Sequence, residues 1–272
     1  RPAALDVAPD APVVVLIPVH DEEQAVGDVV SRVPATCPGR PVEVLVVDDG
    51  STDRSAGLAA AAGARIVAHP RNLGLGAAVR RGLAEASALS PAAVVYLDAD
   101  GEYFPEDIAR VVAPVLDGSA DYVVGSRFAG DIRRMLPHRR VGNRLLTHWV
   151  RWMTRRAELS DGQSGFRAFS AAAAADGEVV HDYNYAQVLT LDLLAKGYRY
   201  AEVPISYRFR ESGRSFVRLG RYLRRVLPAV HRELNSPSIA QSSTTWDANR
   251  SRAAAHAVSS REPSGRSALT AS

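Results

Sequence analysis

The sequence predicts an α/β fold, a mostly parallel sheet with helices on both faces, and three observations predict it. Apolar runs rich in β-branched residues occur within 13–17, 43–47 and 94–97, and strands without polar alternation are strands covered on both sides. Segments long enough for a helix separate them, at the spacing of strand-helix-strand units. Each run ends in acidic residues: His20-Asp21-Glu22-Glu23, Asp48-Asp49 and Asp98-Ala99-Asp100. In open sheets of this kind ligands bind beyond the carboxyl ends of the strands, so three acidic strand ends converge on one edge.

The elements follow in order. Residues 1–11 read as a flexible leader. The strand 13–17 ends at Pro18, and the acidic residues 20–23 are expected to open a helix running to about Arg32, where they suit the helix dipole. The strand 43–47 leads through Asp48-Asp49-Gly50-Ser51-Thr52-Asp53 to a helix ending near Ala62. A short strand at 65–68 and the turn Asn72-Leu73-Gly74-Leu75-Gly76 precede a helix ending near Ala86. After the strand of 94–97 a helix is expected over 105–116, then a strand over 121–125 closed by Ser126-Arg127. Residues 133–156 are rich in arginine and contain Trp149, Trp152 and Met153; a helix from about Val141 would set apolar residues on one side and arginines largely on another. Asp161 to Arg167 is a glycine-rich turn with an anion-capable arginine. An amphipathic helix over 185–196 and a strand over 202–207 follow, the strand at an edge because of Pro204.

Composition bounds the rest. At 272 residues, 46% hydrophobic and 23% charged, the chain buries a sizeable core, which excludes disorder throughout. The formal net charge is +3 and its positive part is nearly all arginine, Lys196 being the single lysine; arginine meets phosphate with a planar fork. The lone Cys37 has no disulfide or metal partner, which points to a reducing compartment. No apolar run reaches the roughly eighteen residues of a membrane span, so membrane contact is expected to be peripheral. Phe216, Leu219, Leu223, Val226, Leu227, Val230 and Leu234 alternate with Arg218, Arg221, Arg224, Arg225 and Arg232. Residues 216–235 therefore read as a basic amphipathic helix suited to an anionic membrane surface. Residues 236–272 read as a disordered tail. The main domain is expected over 12–215.

The chemistry centres on residues 94–104. Asp98, Asp100 and Glu102 are spaced i, i+2, i+4, so in extended chain they point the same way. Three close carboxylates repel, and Mg²⁺ or Mn²⁺, which prefer oxygen ligands and often share substrate phosphates, would relieve that repulsion. A dinucleotide site is excluded, because Pro18-Val19-His20-Asp21-Glu22 stands after the first strand in place of G-x-G-x-x-G. A P-loop is absent. The basic segments surround a predicted acidic cleft, which argues against nucleic acid as a partner.

Taken together the motifs resemble family 2 glycosyltransferases, and within them the dolichyl- or polyprenyl-phosphate mannose and glucose synthases. The carrying residues are Ile17-Pro18-Val19-His20-Asp21-Glu22, Val47-Asp48-Asp49-Gly50-Ser51-Thr52-Asp53, Asn72-Leu73-Gly74-Leu75-Gly76, Asp98-Ala99-Asp100-Gly101, Gly125-Ser126-Arg127, Ser164-Gly165-Phe166-Arg167 and Glu202-Val203-Pro204-Ile205, collinear over about 13–215. The resemblance implies the nucleotide-diphospho-sugar transferase (GT-A, Rossmann-like) fold. It implies that Pro18, His20, Glu22 and Asp49 line the nucleotide pocket with Asp48 alongside, and that Gly74, Gly76, Ser126 and Arg167 belong to the substrate-binding set. Asp98 and Asp100, with Glu102 where the family often has Gln, would hold the metal on the donor diphosphate. Arg127 and Arg208 or Arg210 would face an acceptor phosphate. His20 replaces a tyrosine that stacks on the base, and Phe216 replaces a lysine, with Arg214 nearby. The Q-x-x-R-W motif of processive synthases is absent.

The expected reaction is an inverting transfer of mannose or glucose from GDP-mannose or UDP-glucose to a polyprenyl or dolichyl phosphate. An acceptor phosphate is already ionised near neutral pH and needs positioning more than a general base. The chain would work on the cytoplasmic face of a membrane, with room for a separate membrane-protein partner. A hydroxyl acceptor on a glycan, protein or metabolite is the first alternative, with Asp161 or His181-Asp182 as the candidate base. A sugar nucleotidyltransferase is the second, disfavoured by the missing glycine-rich phosphate loop, and a non-catalytic binding module is the third.

Overall fold

β1 (Val13–Val19) is buried along its whole length, and its side chains divide between two cores as a period of two requires. Val13, Val15, Ile17 and Val19 enter one core, Val14 and Leu16 the other. The computed structural model describes residues 7–129, 160–179 and 185–208. These lie in the first of the chain's two units, Arg1–Ala229, and the second, Val230–Ser272, is outside them. So are the expected helices over 141–156 and 216–235, and Arg210.

After β1 come α1 (Val26–Ser31), β2 (Thr36–Cys37), β3 (Arg40–Asp48), α2 (Ser55–Ala61), β4 (Arg65–Ala68), α3 (Leu75–Ala88) and β5 (Ala93–Tyr96). A 3-10 turn, Pro105–Asp107, leads into α4 (Ile108–Leu116). Then follow β6 (Tyr122–Ser126), β7 (Arg167–Ser170), α5 (Ala171–Asp176), α6 (Tyr185–Ala195) and β8 (Tyr200–Pro204). The sheet order is β2-β3-β1-β5-β7-β6-β8, with β4 also on β3. β1 runs parallel to β3 and β5, β3 to β4, and β6 to β8. β7 is antiparallel to both β5 and β6. Helices α1, α2 and α4 cover one face and α3, α5 and α6 the other.

Three expectations change. Pro18 does not end β1, since it pairs with Val47 inside the strand. Leu16 gives its carbonyl to Leu97 N on the β5 side, and Pro18, two residues on, faces that side past the last rung, where no N–H is needed. The acidic residues 20–23 do not open α1; Asp28 is the acidic residue of its first turn. Their backbone is held in a loop, with Asp21 at φ +52°. Helix α6 is apolar around its circumference rather than on one face, burying Ala186, Val188, Leu189, Leu191, Leu193 and Leu194. The sheet is mostly parallel as expected, with β7 entering between β5 and β6 in the opposite sense. β8 is the edge strand expected from Pro204.

Helix α3 lies so close to β1 that a Cβ on Gly82 would stand 2.2 Å from Leu16 Cδ1. In an exposed helix Gly→Ala stabilises by about 1 kcal/mol. Here overpacking reverses the sign, and Gly82→Ala is expected to destabilise by about 1–3 kcal/mol in urea unfolding.

Candidate active site

The loop after β1 is shaped by the loop after β3. Three successive backbone amides of the first are taken by side chains of the second. Asp21 N–H donates to Ser51 Oγ (3.1 Å), Glu22 N–H to Ser55 Oγ (2.8 Å) and Glu23 N–H to Asp53 Oδ2 (3.1 Å). Asp21 Oδ1 in return accepts from Thr52 N–H at 2.8 Å, and Asp53 Oδ1 accepts from the Ser55 amide at 2.9 Å and hydroxyl at 2.5 Å. His20 stands at the head of this loop, partly exposed, with Nε2 3.6 Å from Asp21 Oδ2. Its Nδ1 is buried and has no hydrogen-bond partner among the described residues.

Asp49, 3% exposed, fixes the turn into α3. Its carboxylate accepts from Leu73 N–H at 2.9 Å, Gly74 N–H at 2.8 Å and the His69 ring at Nδ1, 2.7 Å away. Gly74 has φ +96°, a conformation open to glycine, and Gly76 is buried inside α3. Gly50 is needed for the same crowding, since a Cβ there would lie 2.3 Å from the Arg71 carbonyl carbon. Asp48 accepts Ser51 N–H at 3.1 Å. Asp48 and Asp49 thus shape the loops at this strand end, and Pro18 is a strand residue paired with Val47.

The carboxylates at the end of β5 do not lie on extended chain. Residues 98–102 form a turn with Gly101 at φ +72°, so the i, i+2, i+4 alignment is broken. Asp98 Oδ1 accepts the Tyr96 hydroxyl at 2.7 Å, and Asp100 Oδ1 accepts Glu102 N–H at 3.0 Å. Glu102 turns to Tyr207, whose hydroxyl donates to Oε2 at 2.6 Å. Among the described residues no three His, Cys, Asp or Glu side chains are placed to hold one ion, so the expected three-carboxylate set is not assembled. Burial pushes the Asp98 carboxyl up to about 6; the charge of Glu102 adds to this, while the Tyr96 hydrogen bond, Arg127 and Arg167 work against it.

One wall of Asp98 is backbone. A Cβ on Gly165 would fall 1.9 Å from Asp98 Oδ2, and Gly165 N–H donates to Tyr103 Oη at 2.8 Å. The loop carrying Gly165 is held by Asp161, which takes Arg127 with both oxygens, Nε to Oδ2 at 2.7 Å and Nη2 to Oδ1 at 2.8 Å. Glu202 anchors the same loop, accepting Ser160 N–H at 2.7 Å, the Ser160 hydroxyl and the Tyr200 hydroxyl. Ser126 Oγ lies 2.5 Å from Ser160 Oγ. Arg208 reaches the carboxylate turn from the far side: its amide donates to Glu102 O at 3.0 Å, Nε to Gly101 O at 2.7 Å, and the guanidinium lies 5.4 Å over the Phe104 ring.

The structure therefore gathers His20, Asp48, Asp49, Asp98, Asp100 and Glu102 at the carboxyl edge of the sheet, and Arg208 beside them. Two expected ligand arginines have other work. Arg167 is fully buried and donates to Ser164 O, Tyr122 Oη, Ala186 O and Thr190 Oγ1, so it braces β7 against α6 and does not meet a substrate anion. Arg127 spends Nε and Nη2 on Asp161, and the same pair removes Asp161 as a free general base. His181-Asp182 and Arg210 lie outside the described residues. Residues that sequence reasoning missed are Ser55 and Asp53 beneath the first loop, His69 on Asp49, and Glu202 and Tyr207 as anchors. For Ser55 and Asp53 the signal was the clustering of Ser, Thr and Asp after β3, residues whose side chains bond backbone.

Residues 14–177 match Glycosyl transferase family 2. The polyprenol monophosphomannose synthase of Mycolicibacterium smegmatis is 30% identical over 219 residues, 76% of this chain and 81% of that protein. The UDP-N-acetylglucosamine–dolichyl-phosphate N-acetylglucosaminyltransferase of Methanococcus voltae is 30% identical over 183 residues, 60% of this chain and 71% of that protein. Among solved structures, glucosyl-3-phosphoglycerate synthase from Mycobacterium tuberculosis in complex with Mn²⁺, uridine diphosphate and glucosyl-3-phosphoglycerate aligns with a TM-score of 0.67 at 25% identity, over 84% of this chain and 81% of that one. With the mixed sheet, the acidic strand ends and the motif order all in agreement, the chain belongs to glycosyl transferase family 2 and is a glycosyltransferase of the GT-A fold.

Proposed function

We propose that this glycosyltransferase moves mannose or glucose from a GDP- or UDP-sugar to a polyprenyl or dolichyl phosphate, with inversion and with Mg²⁺ or Mn²⁺. The observation that carries the reading is one juxtaposition: the turn bearing Asp98 and Asp100 lies at the sheet's carboxyl edge, and Arg208 is fastened onto it through Gly101 and Glu102. In this reading the turn receives the leaving diphosphate and Arg208 the incoming phosphate. The names of the relatives, which include lipid-phosphate transferases, support the acceptor class.

The residues fit a hard divalent ion. Asp98 is a carboxylate whose ionised form is unfavourable in its surroundings, and Asp98 with Asp100 offers the one or two carboxylates that Mg²⁺ takes alongside substrate phosphates. Glu102 stays on Tyr207. When bound, the ion supplies Lewis-acid neutralisation of the diphosphate. The chain's own residues do the rest. The loop of 20–23 and the Asp49-fixed turn hold the nucleoside, Gly165 keeps Asp98 in place, and Arg208 orients the acceptor oxygen with charge-assisted hydrogen bonds. The bond from the anomeric carbon to acceptor phosphate oxygen forms as the bond to the diphosphate oxygen breaks, and no proton transfer is required. Asp161, one of the two candidate bases, is paired with Arg127, which favours a phosphate acceptor over a hydroxyl.

No helix among the described residues is long and apolar enough to cross a membrane. The reading places the chain peripherally on the cytoplasmic face, with the basic stretch 216–235 against anionic lipid and a membrane-protein partner as a further anchor.

Purified protein given Mn²⁺ and radiolabelled GDP-mannose or UDP-glucose should move label into organic solvent only when a polyprenyl phosphate is present. Label confined to water-soluble products would reject the lipid acceptor. Asp98→Asn should abolish this transfer. An acid whose folded pKa is raised favours folding only while protonated, so its contribution is lost as pH rises from about 4 through about 6. At pH 7 without metal, Asp98→Asn should therefore raise the melting temperature by about 2–6 °C. A lower melting temperature would show that Asp98 is not a strained carboxylate.

A further inference from the structure

Two segments of chain meet at the carboxylate turn, and their backbones are pinned together at three points. Ser206 N–H donates to Asp107 Oδ2 at 2.7 Å, Tyr207 pairs with Tyr103 in an isolated antiparallel bridge, and Arg208 N–H donates to Glu102 O at 3.0 Å. Asp107 is itself buried, 6% exposed. The place of Arg208 along the chain is therefore set by its neighbours. The direction of its guanidinium is not, because a long side chain keeps its rotamer freedom until something holds its head.

Two contacts supply that hold: Nε donates to Gly101 O at 2.7 Å, and the guanidinium lies 5.4 Å from the centroid of the Phe104 ring, within the reach of a cation–π attraction. A second guanidinium, that of Arg32, lies 5.6 Å from the same ring. The two arginines differ in what they can still bind. Arg32 gives Nε and Nη2 to Glu106 at 2.9 and 2.8 Å and Nη1 to Asp28 at 3.0 Å, so carboxylates occupy its fork. Arg208 is exposed, and among the described residues its Nη1 and Nη2 have no hydrogen-bond partner. The hydrogen bond from Arg32 holds the Glu106 carboxyl below its usual range, and the charge of Arg208 adds a smaller share, so the carboxylate that fastens Arg32 also draws Arg208 toward the ring.

We propose that Phe104 is a positioning residue for the acceptor: its ring, braced by Arg32 and Glu106, keeps the Arg208 guanidinium at the carboxylate turn with Nη1 and Nη2 open to a phosphate. The inference rests on the proposed use of Arg208 for an acceptor phosphate and deepens it. A planar fork suits phosphate geometry, and a fork already held in place loses less side-chain freedom when the phosphate arrives, which is preorganisation. Arg32 stands at the same ring but is saturated, so it serves as a brace and not as a second phosphate ligand. Phe104 acts through Arg208 alone, and its contribution belongs to acceptor binding.

The test uses the full chain with Mn²⁺, saturating GDP-mannose or UDP-glucose, and farnesyl phosphate as the acceptor. KM for farnesyl phosphate and kcat are measured for wild type, Arg208→Ala, Phe104→Leu, Phe104→Tyr and the Arg208→Ala/Phe104→Leu double variant. Arg208→Ala is expected to raise this KM at least about tenfold, the scale of a lost hydrogen bond to a charged group. Phe104→Leu keeps apolar bulk and removes the aromatic face, and should raise it about 2- to 5-fold, the worth of an exposed cation–π contact. Its kcat and its KM for the nucleotide sugar should stay within about twofold of wild type, because the lost binding is shared by ground and transition states. Phe104→Tyr retains the ring and should keep the wild-type KM. In the Arg208→Ala background Phe104→Leu should add nothing, since effects that act through one group do not add. An equal rise in both backgrounds would show a general structural role and overturn the inference, as would an unchanged KM in Phe104→Leu while Arg208→Ala raises it. Should Phe104→Leu fail to fold, Phe104→Met is read by the same criteria. An unchanged KM in Arg208→Ala would instead reject Arg208 as the acceptor cation, and a wild type that transfers to farnesyl phosphate from neither donor would reject the acceptor class; either result removes the inference with its premise.

Discussion

The buried pair of Arg127 and Asp161 is the contact on which the site depends. Arg127 follows β6 and Asp161 belongs to the loop leading into β7, so the pair joins two segments 34 residues apart. Both side chains are nearly inaccessible, 7% and 0% exposed. Taking two charges from water is expensive, and such a pair contributes little net stability against a hydrophobic replacement. Removing one partner is another matter, at about 3–5 kcal/mol for the charge left behind. What the pair supplies is position. It sets where the 160–167 loop runs, and that loop brings Gly165 against Asp98. Glu202 on the edge strand and Tyr207 just beyond it hold the same region from outside, the first through Ser160, the second through Glu102 and a ring 5.3 Å from the Arg127 guanidinium.

This arrangement explains how an unfavourable carboxylate is retained. Asp98 is pressed by burial and by Glu102 toward protonation, yet it cannot turn away, because Gly165 backbone and the Tyr96 hydroxyl enclose it. A group kept in a poor environment by its scaffold is what a cation-binding position requires before the cation arrives, and the cost falls on folding stability. The opposite choice is made at Asp49, whose oxygens are satisfied by two amides and His69. Asp49 shapes the turn into α3, and Asp98 is the carboxylate that the proposed function assigns to the ion.

Much of this was legible in the sequence, and the reasons differ by element. Strands β1 and β5 and the end of β3 could be placed because a strand covered on both faces must be apolar throughout, and acidic residues follow each of them. The family, fold and transfer chemistry followed from seven motifs in order. What failed was inference about direction. Asp98, Asp100 and Glu102 share a spacing that aligns them only in extended chain, and Gly101 bends that chain; the glycine after Asp100 was the available warning. Arg167 was assigned to an anion because nothing in its neighbours reveals that β7 enters antiparallel and drives the side chain into the core beneath α6. Arg127 looked free because its partner lies 34 residues away, a contact that only tertiary structure creates. The pairing of the first two loops was equally hidden, although the run of Ser, Thr and Asp at 51–55 carried the right chemistry for capturing backbone amides.

In the proposed function the carboxyl edge of the sheet holds a nucleoside diphosphate through a divalent ion on Asp98 and Asp100. Crystals of the protein grown with Mn²⁺ and UDP or GDP, with anomalous diffraction collected at the manganese edge, test it most directly. A single peak is expected within coordination distance of Asp98 and Asp100 and of the diphosphate, about 2.0–2.3 Å, with Glu102 still accepting the Tyr207 hydroxyl. Manganese bound away from Asp98 and Asp100, or a nucleotide seated elsewhere on the sheet, would contradict it.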